Sequence, residues 1–180
     1  MSLRFVCTSD PSAPKVRCHW VTPLKILFLC TGNSCRSIIA EALLRSMAPT
    51  DVTAQSAGSK PTGFVHPRAL AALKDAGIAT EGLSSKSWDH LPEKPNAVIT
   101  LCSDAAGETC PLYFGSVIRS HWGMPDPAKV QGDEAAIAAA FADTLAVLGQ
   151  RIRALARQLE AQPDMGATEL QTVLDGIAAM

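Results

Sequence analysis

Aromatic residues are scarce, 5% of 180 positions with a single tyrosine, and no run of lysines or arginines occurs. Sixteen basic residues against seventeen acidic ones leave a formal net charge of −1. A nucleic-acid partner calls for a basic stripe, so the composition argues against one. Any anion site must be built locally, from backbone N–H groups and one or two arginines. The start, MSLRFVCTSDPSAPKVRCHW, lacks the continuous apolar stretch of a secretory signal and carries Asp10 and two prolines. No stretch is expected to reach the length of a membrane span. These two absences lead to the expectation of a cytoplasmic chain, in which thiols stay reduced.

What the sequence does have is 47% hydrophobic residues, enough to bury the core of one ordinary domain. It also has six cysteines, at positions 7, 18, 30, 35, 102 and 110. In a reducing compartment these are catalytic, metal-binding or plainly buried rather than structural disulfides. Their spacing fits no common zinc-ligand pattern.

Residues 1–23, interrupted by prolines and without a hydrophobic period, read as an extension outside the core. LKILFL (24–29) is short, apolar on both faces and followed by a Gly/Asn/Ser loop, as a buried parallel strand would be. SIIAEALLRSMA reads as a helix ended by Pro49. Val52 to Ala57 is a second strand, HPRALAALKDAG (66–77) a second helix with proline near its start and Gly77 at its end, and AVITL (97–101) a third strand. Arg119 to Trp122 is a weaker fourth strand. Asp133 to Gln162 is the longest helix, with Ile137, Phe141, Leu145, Leu148, Ile152, Leu155 and Leu159 stepping along one face. Asp133 and Glu134 suit the positive end of its dipole. The tail, 163–180, carries Leu170, Val173, Leu174 and Ile177, which can dock as a terminal helix or stay loose.

Strands alternating with helices imply an α/β fold: a four-stranded parallel sheet with helices on both faces, carried by residues 24–162. Ligands of such sheets bind beyond the carboxyl ends of the strands. Three strand ends lead into reactive residues: Leu29 into Cys30, Leu101 into Cys102, and Trp122 towards Asp126.

The first of these, CTGNSCR, places Arg36 six residues after Cys30. Spacing alone says little, but the loop follows a buried strand, turns on Gly32, Asn33 and Ser34, and opens a helix. The backbone N–H groups of Thr31 to Arg36 can curl into a nest around a tetrahedral anion. The helix N-terminus adds positive potential, and Arg36 can clamp two oxygens. The same field favours Cys30 as a thiolate, an activated nucleophile beneath the bound oxyanion. Ser37 is placed to donate a hydrogen bond to that sulfur.

This loop, with its strand and helix, resembles the low-molecular-weight tyrosine phosphatase family, and the string CTGNSCRS is similar to that family's arsenate reductase branch. QSAGS (55–59), TLCSD (100–104) with Cys110 and Pro111, and HWGMPDPA (121–128) carry the resemblance further. It implies a three-layer fold, Cys30 as nucleophile, Arg36 as oxyanion ligand, Asp126 as general acid, and Cys102 and Cys110 as a redox pair. No bound cofactor is then required, only an external thiol reductant such as thioredoxin or glutathione with glutaredoxin. Seven residues, SDAAGET, separate the redox cysteines, one more than in thioredoxin-coupled members, which leaves the reductant open. Some members hold potassium at positions resembling Asn33, Glu41 and Ser56. The further acidic ligand has no counterpart in SKSWDHL, and no metal is assigned.

Plainer readings stand beside these. Cys102 and Cys110 can be core thiols. Cys35 lies in the loop, with its side chain expected to pack away from the anion. Cys7 and Cys18 are read as incidental. Asp126 before Pro127 also suits a turn. His66 is read as a helix cap, and His121 and Trp122 as packing beside the site. Three functions remain: arsenate reductase, a phosphatase acting on phosphotyrosine or a small phosphoester, and a non-catalytic oxyanion or redox sensor. The Cys102/Cys110 pair favours the first, because hydrolysis has no use for it.

Overall fold

A computed structural model describes residues 5–8, 17–20, 23–102 and 117–180. Six strands and four helices order it: β1 (Phe5–Thr8), β2 (Arg17–Trp20), β3 (Leu24–Cys30), α1 (Arg36–Met47), β4 (Val52–Gly58), α2 (Pro67–Asp75), β5 (Ala97–Thr100), β6 (Ile118–His121), α3 (Glu134–Ala161) and α4 (Ala167–Ala178). Strands β4, β3, β5 and β6 lie side by side in that order and pair in parallel throughout. The chain therefore winds outward from β3 in both directions. Its switch point is the crevice between β3 and β5, beyond Cys30 and Thr100.

Successive residues of β3 point to opposite faces, and both faces are buried, which is why its sequence shows no alternation. Leu24, Ile26 and Phe28 join a large cluster to which all four helices contribute. Leu27 and Leu29 meet Ala57 and Val98 on the other face, covered among the described residues by Trp88, Leu91 and Val117. The larger cluster runs from Ile39, Leu43 and Leu44 of α1 to Phe141, Leu148, Ile152 and Leu155 of α3. α1 is buried from Arg36 to Leu44, and this stretch includes the polar Arg36, Ser37 and Glu41 that face the loop and its supports.

Residues 1–23 hold more order than their sequence showed, the tail takes one of its two open courses, and one expectation is corrected. Residues 1–23 contain the antiparallel pair β1 and β2, which forms a sheet of its own with Cys7 opposite Cys18. The segment after Pro163 docks: Leu170, Leu174 and Ile177 of α4, with Met165, enter the large cluster. Ser120 Oγ and Trp122 Nε1 both donate to the Leu174 carbonyl, and Gln171 Nε2 donates to Arg119 O, which ties α4 to β6. A single apolar face gives no sign of its partner, so the sequence left both outcomes open. Finally, α3, at 28 residues, is long and apolar enough to cross a membrane by length and composition, contrary to the expectation that no stretch is. Alanines raise its hydropathy, while one stripe, Phe141, Leu148, Ile152, Leu155 and Leu159, is buried in the large cluster.

Candidate active site

The loop between β3 and α1 is held from outside by its carbonyls. Thr31, Gly32 and Ser34 accept from the backbone N–H groups of Lys60, Thr62 and His66 at 2.9, 3.0 and 3.0 Å. Among the described residues no peptide bond is cis. In a trans peptide the N–H points opposite the C=O, so the N–H groups of Gly32, Asn33 and Cys35 face away from that strap. This is the arrangement an anion nest requires. Gly58 makes the close approach possible. A Cβ there would lie 2.5 Å from the Thr31 carbonyl oxygen and 3.0 Å from Asn33.

Asn33 braces the loop from within. It is fully buried and sits in the left-handed region at φ 43°, which asparagine tolerates. Its Oδ1 accepts from Lys86 N at 2.7 Å, which fixes the amide's orientation. Its Nδ2 then donates to Ser37 Oγ and Ser56 Oγ, both at 2.9 Å. Each serine, having accepted, has one proton to pass on. Ser37 shares a 3.0 Å hydrogen bond with Cys30 Sγ, and Ser56 donates to Glu41 Oε2. A Cys30 thiolate would therefore accept a bond whose donor is already oriented.

Asn33, Glu41 and Ser56, the positions that resemble a potassium site, do meet. The residues present do not fit a further cation. Glu41 already pairs with Arg45 and has Lys86 Nζ at 3.7 Å, and its Oε2 is occupied by the Ser56 proton. Among the described residues no cluster of three or more His, Cys, Asp or Glu could hold a metal ion.

Arg36, buried at the first position of α1, donates through one terminal nitrogen to Met124 O at 3.0 Å and through the other to Asp126 Oδ2 at 2.8 Å. Its Nε is buried without a hydrogen-bond partner. Asp126 takes the turn role expected of it and also meets Arg36. Its Oδ1 caps the short 3₁₀ turn Pro127–Lys129 by accepting from Ala128 N, and its Oδ2 faces the site. Cys102 follows β5 and packs against Cys30, with Thr31 Oγ1 3.4 Å from its sulfur. Cys30, Cys35 and Cys102 are all buried. Cys35 faces the large apolar cluster, and burial pushes its thiol up to about 11, so it stays neutral. Cys110, with the rest of 103–116, lies outside the described residues.

His66 caps α2 by accepting from Arg68 N at 3.3 Å and stacks on Phe141. Trp122 is wholly buried against Phe28, but His121, read as a packing residue, is exposed with Nδ1 2.8 Å from Thr100 Oγ1. Sequence reading missed Gly58, whose role depends on a loop 25 residues away, and Lys86, which acts through its backbone.

Fold and site together define a class: a parallel α/β domain whose central strand opens through a cysteine-to-arginine loop onto a helix N-terminus, built to hold a tetrahedral oxyanion over a thiol. The chain belongs to the low molecular weight phosphotyrosine protein phosphatase family, whose profile matches residues 25–165. Among curated relatives, an arsenate reductase of Bacillus licheniformis is 39% identical over 132 residues, 73% of this chain and 94% of that protein. A solved arsenate reductase from Archaeoglobus fulgidus shares the fold with a TM-score of 0.60 at 24% identity, covering 73% of this chain and 98% of that one. A thioredoxin-dependent arsenate reductase of Corynebacterium glutamicum aligns at 25% identity and a TM-score of 0.60, over 79% of this chain and 64% of that one.

Proposed function

We propose that the protein reduces arsenate to arsenite for arsenic detoxification, with Cys30 as nucleophile and a disulfide cascade through Cys102 and Cys110. One observation carries this reading: two buried thiols, Cys30 and Cys102, lie in contact at the ends of adjacent parallel strands. Hydrolysis of a phosphoester needs one thiol and water, so the phosphatase alternative leaves Cys102 without a use. The arsenate reductase relatives support the same choice.

In the proposed sequence the loop N–H groups and Arg36 bind the oxyanion. The Cys30 thiolate attacks arsenic and forms an S–As bond, while Asp126 protonates the departing oxygen, which leaves as water. The Cys102 thiolate then attacks Cys30 Sγ. The S–As bond breaks, its electron pair stays on arsenic, and arsenite leaves. Two thiols have been oxidised to a disulfide and arsenic has gained two electrons. Cys110 attacks Cys102, releasing Cys30 as a thiolate, and an external dithiol protein reduces the Cys102–Cys110 disulfide. Electrons come from thiols throughout, so no metal or bound cofactor takes part. The reductant is a thioredoxin, as in the Corynebacterium neighbour, or a glutaredoxin with glutathione. The chemistry resides in residues 24–162, in a reducing cytoplasm, and residues 1–23 carry none of it.

The test is arsenate-dependent NADPH consumption with thioredoxin and thioredoxin reductase, repeated with glutathione and glutaredoxin. Turnover with one of the two pairs supports the proposal. No turnover with either, alongside hydrolysis of a phosphoester, would replace it with the phosphatase reading.

A further inference from the structure

Arg151 stands on α3, one residue before Ile152 of its buried stripe, yet it turns a guanidinium towards the sheet. One terminal nitrogen donates to the Trp122 carbonyl at 3.1 Å, and Nε is buried with no hydrogen-bond partner. Desolvation holds the guanidinium below its ordinary range. A side chain that loses hydration for one neutral carbonyl is a costly way to fill space. Methionine or leucine would pack there at less cost. Among the described residues, the bond to Trp122 O is the specific contact this arginine supplies.

That carbonyl begins the segment which presents Asp126. The segment is pinned twice to β5, by Trp122 N to Thr100 O at 2.8 Å and by Met124 N to Leu101 O at 3.2 Å. Two side chains hold it at three further points. Arg36 takes Met124 O and Asp126 Oδ2, and Arg151 takes Trp122 O. The two arginines are not equivalent once substrate is present. An oxyanion that engages Nε and a free terminal hydrogen of the Arg36 fork leaves its two bonds to this segment in place but shares the guanidinium's charge with them. The Arg36 tether therefore weakens at the step in which Asp126 must be in place, and the Arg151 tether does not.

We propose that Arg151 is a positioning residue that holds the Trp122–Asp126 segment, and through it the Asp126 carboxyl, while Arg36 is occupied by the oxyanion. This rests on the acid role proposed for Asp126. It predicts a rate effect separate from binding, because the oxyanion's own ligands, the loop N–H groups and Arg36, do not involve Arg151.

A double-mutant cycle on the full-length protein tests it, with kcat and KM for arsenate measured for wild type, D126N, R151L and D126N/R151L. R151L should lose about tenfold in kcat, part of what a general acid supplies, with KM within about twofold of wild type. D126N/R151L should be no slower than D126N, since there is no acid left to place. R151K, which can still donate to the carbonyl, should recover most of the rate. If D126N is impaired and R151L multiplies onto it, the positioning role is overturned while the acid role stands. If D126N keeps the wild-type kcat, the acid assignment fails and the positioning role falls with it. Thermal melting checks folding, and should R151L not fold, R151K carries the same cycle. If wild type reduces no arsenate, the cycle is run on hydrolysis of p-nitrophenyl phosphate, where the same acid would protonate the leaving oxygen.

Discussion

Cys30 and Cys35 stand five residues apart in one loop and are equally buried, each 3% exposed. Their surroundings differ in kind. Cys30 meets the Ser37 hydroxyl, itself aimed by Asn33, and touches a second thiol, Cys102. Cys35 meets only the Ser34 hydroxyl at 3.7 Å and otherwise the apolar cluster, which keeps it protonated to about 11. If Cys30 is the nucleophile proposed above, solvent exposure does not separate a reactive thiol from an inert one. The polar groups that face the sulfur do.

The largest test of that contrast is substitution of each sulfur by oxygen. Cys30→Ser should lower arsenate reduction by about a thousandfold or more, as loss of a sole nucleophile does, and should abolish any phosphatase activity too. Cys35→Ser should keep most of the rate. Comparable losses would erase the distinction. Next in size is the cascade. Cys110→Ser should release about one arsenite per enzyme, the stoichiometry set by the single Cys30–Cys102 exchange, and then stall. Mass spectrometry should find that bridge in the stalled protein, whereas Cys102→Ser should stop before arsenite appears. Multiple turnover by Cys110→Ser with no other thiol replacing it would remove Cys110 from the scheme.

Arg36→Lys should cost roughly a hundredfold in kcat/KM, because a point charge cannot replace the planar fork, with the melting temperature little changed. Near-normal kinetics would place the oxyanion elsewhere. The smallest effect concerns Cys35 and pH. Its folded value of about 11 lies above the ordinary 9.0, so folding holds the proton more tightly than the unfolded chain does. The associated stability is complete below pH 9 and is lost as pH rises through about 11. Denaturant melts across that window should show an alkaline decline in wild type that Cys35→Ala lacks. A parallel decline in both proteins would mean that another group causes it.

Much of this could be read in the chain beforehand, for a physical reason. The central strand is buried on both sides and its loop must turn, carry charge and start a helix within seven residues, Cys30 to Arg36. Such demands leave few residue types free. Where the determining partner is distant, the sequence was silent. Nothing near Arg151 signals a carbonyl 29 positions earlier, and nothing in LQTVLDGI says that it will lie along β6. The strand pair of residues 5–8 and 17–20 was missed because four-residue strands barely show a period. His121 misled through its neighbour: Trp122 is in the core, and strand alternation turns His121 outward.

Asn33 also bears on how the protein ages. An asparagine followed by serine, as in Asn33–Ser34, loses its amide when the next backbone nitrogen can reach the side-chain carbon. Here the amide is clamped at both ends, by Lys86 N on the oxygen and by Ser37 and Ser56 on the nitrogen. Those bonds oppose the side-chain rotation that such an attack needs while the loop is folded. Conversion to aspartate would remove both N–H donors and set a second carboxylate near the buried Glu41, so a protein stored partly unfolded would lose its loop irreversibly. The bonds that orient Ser37 towards Cys30 thus also protect the site against slow chemical decay.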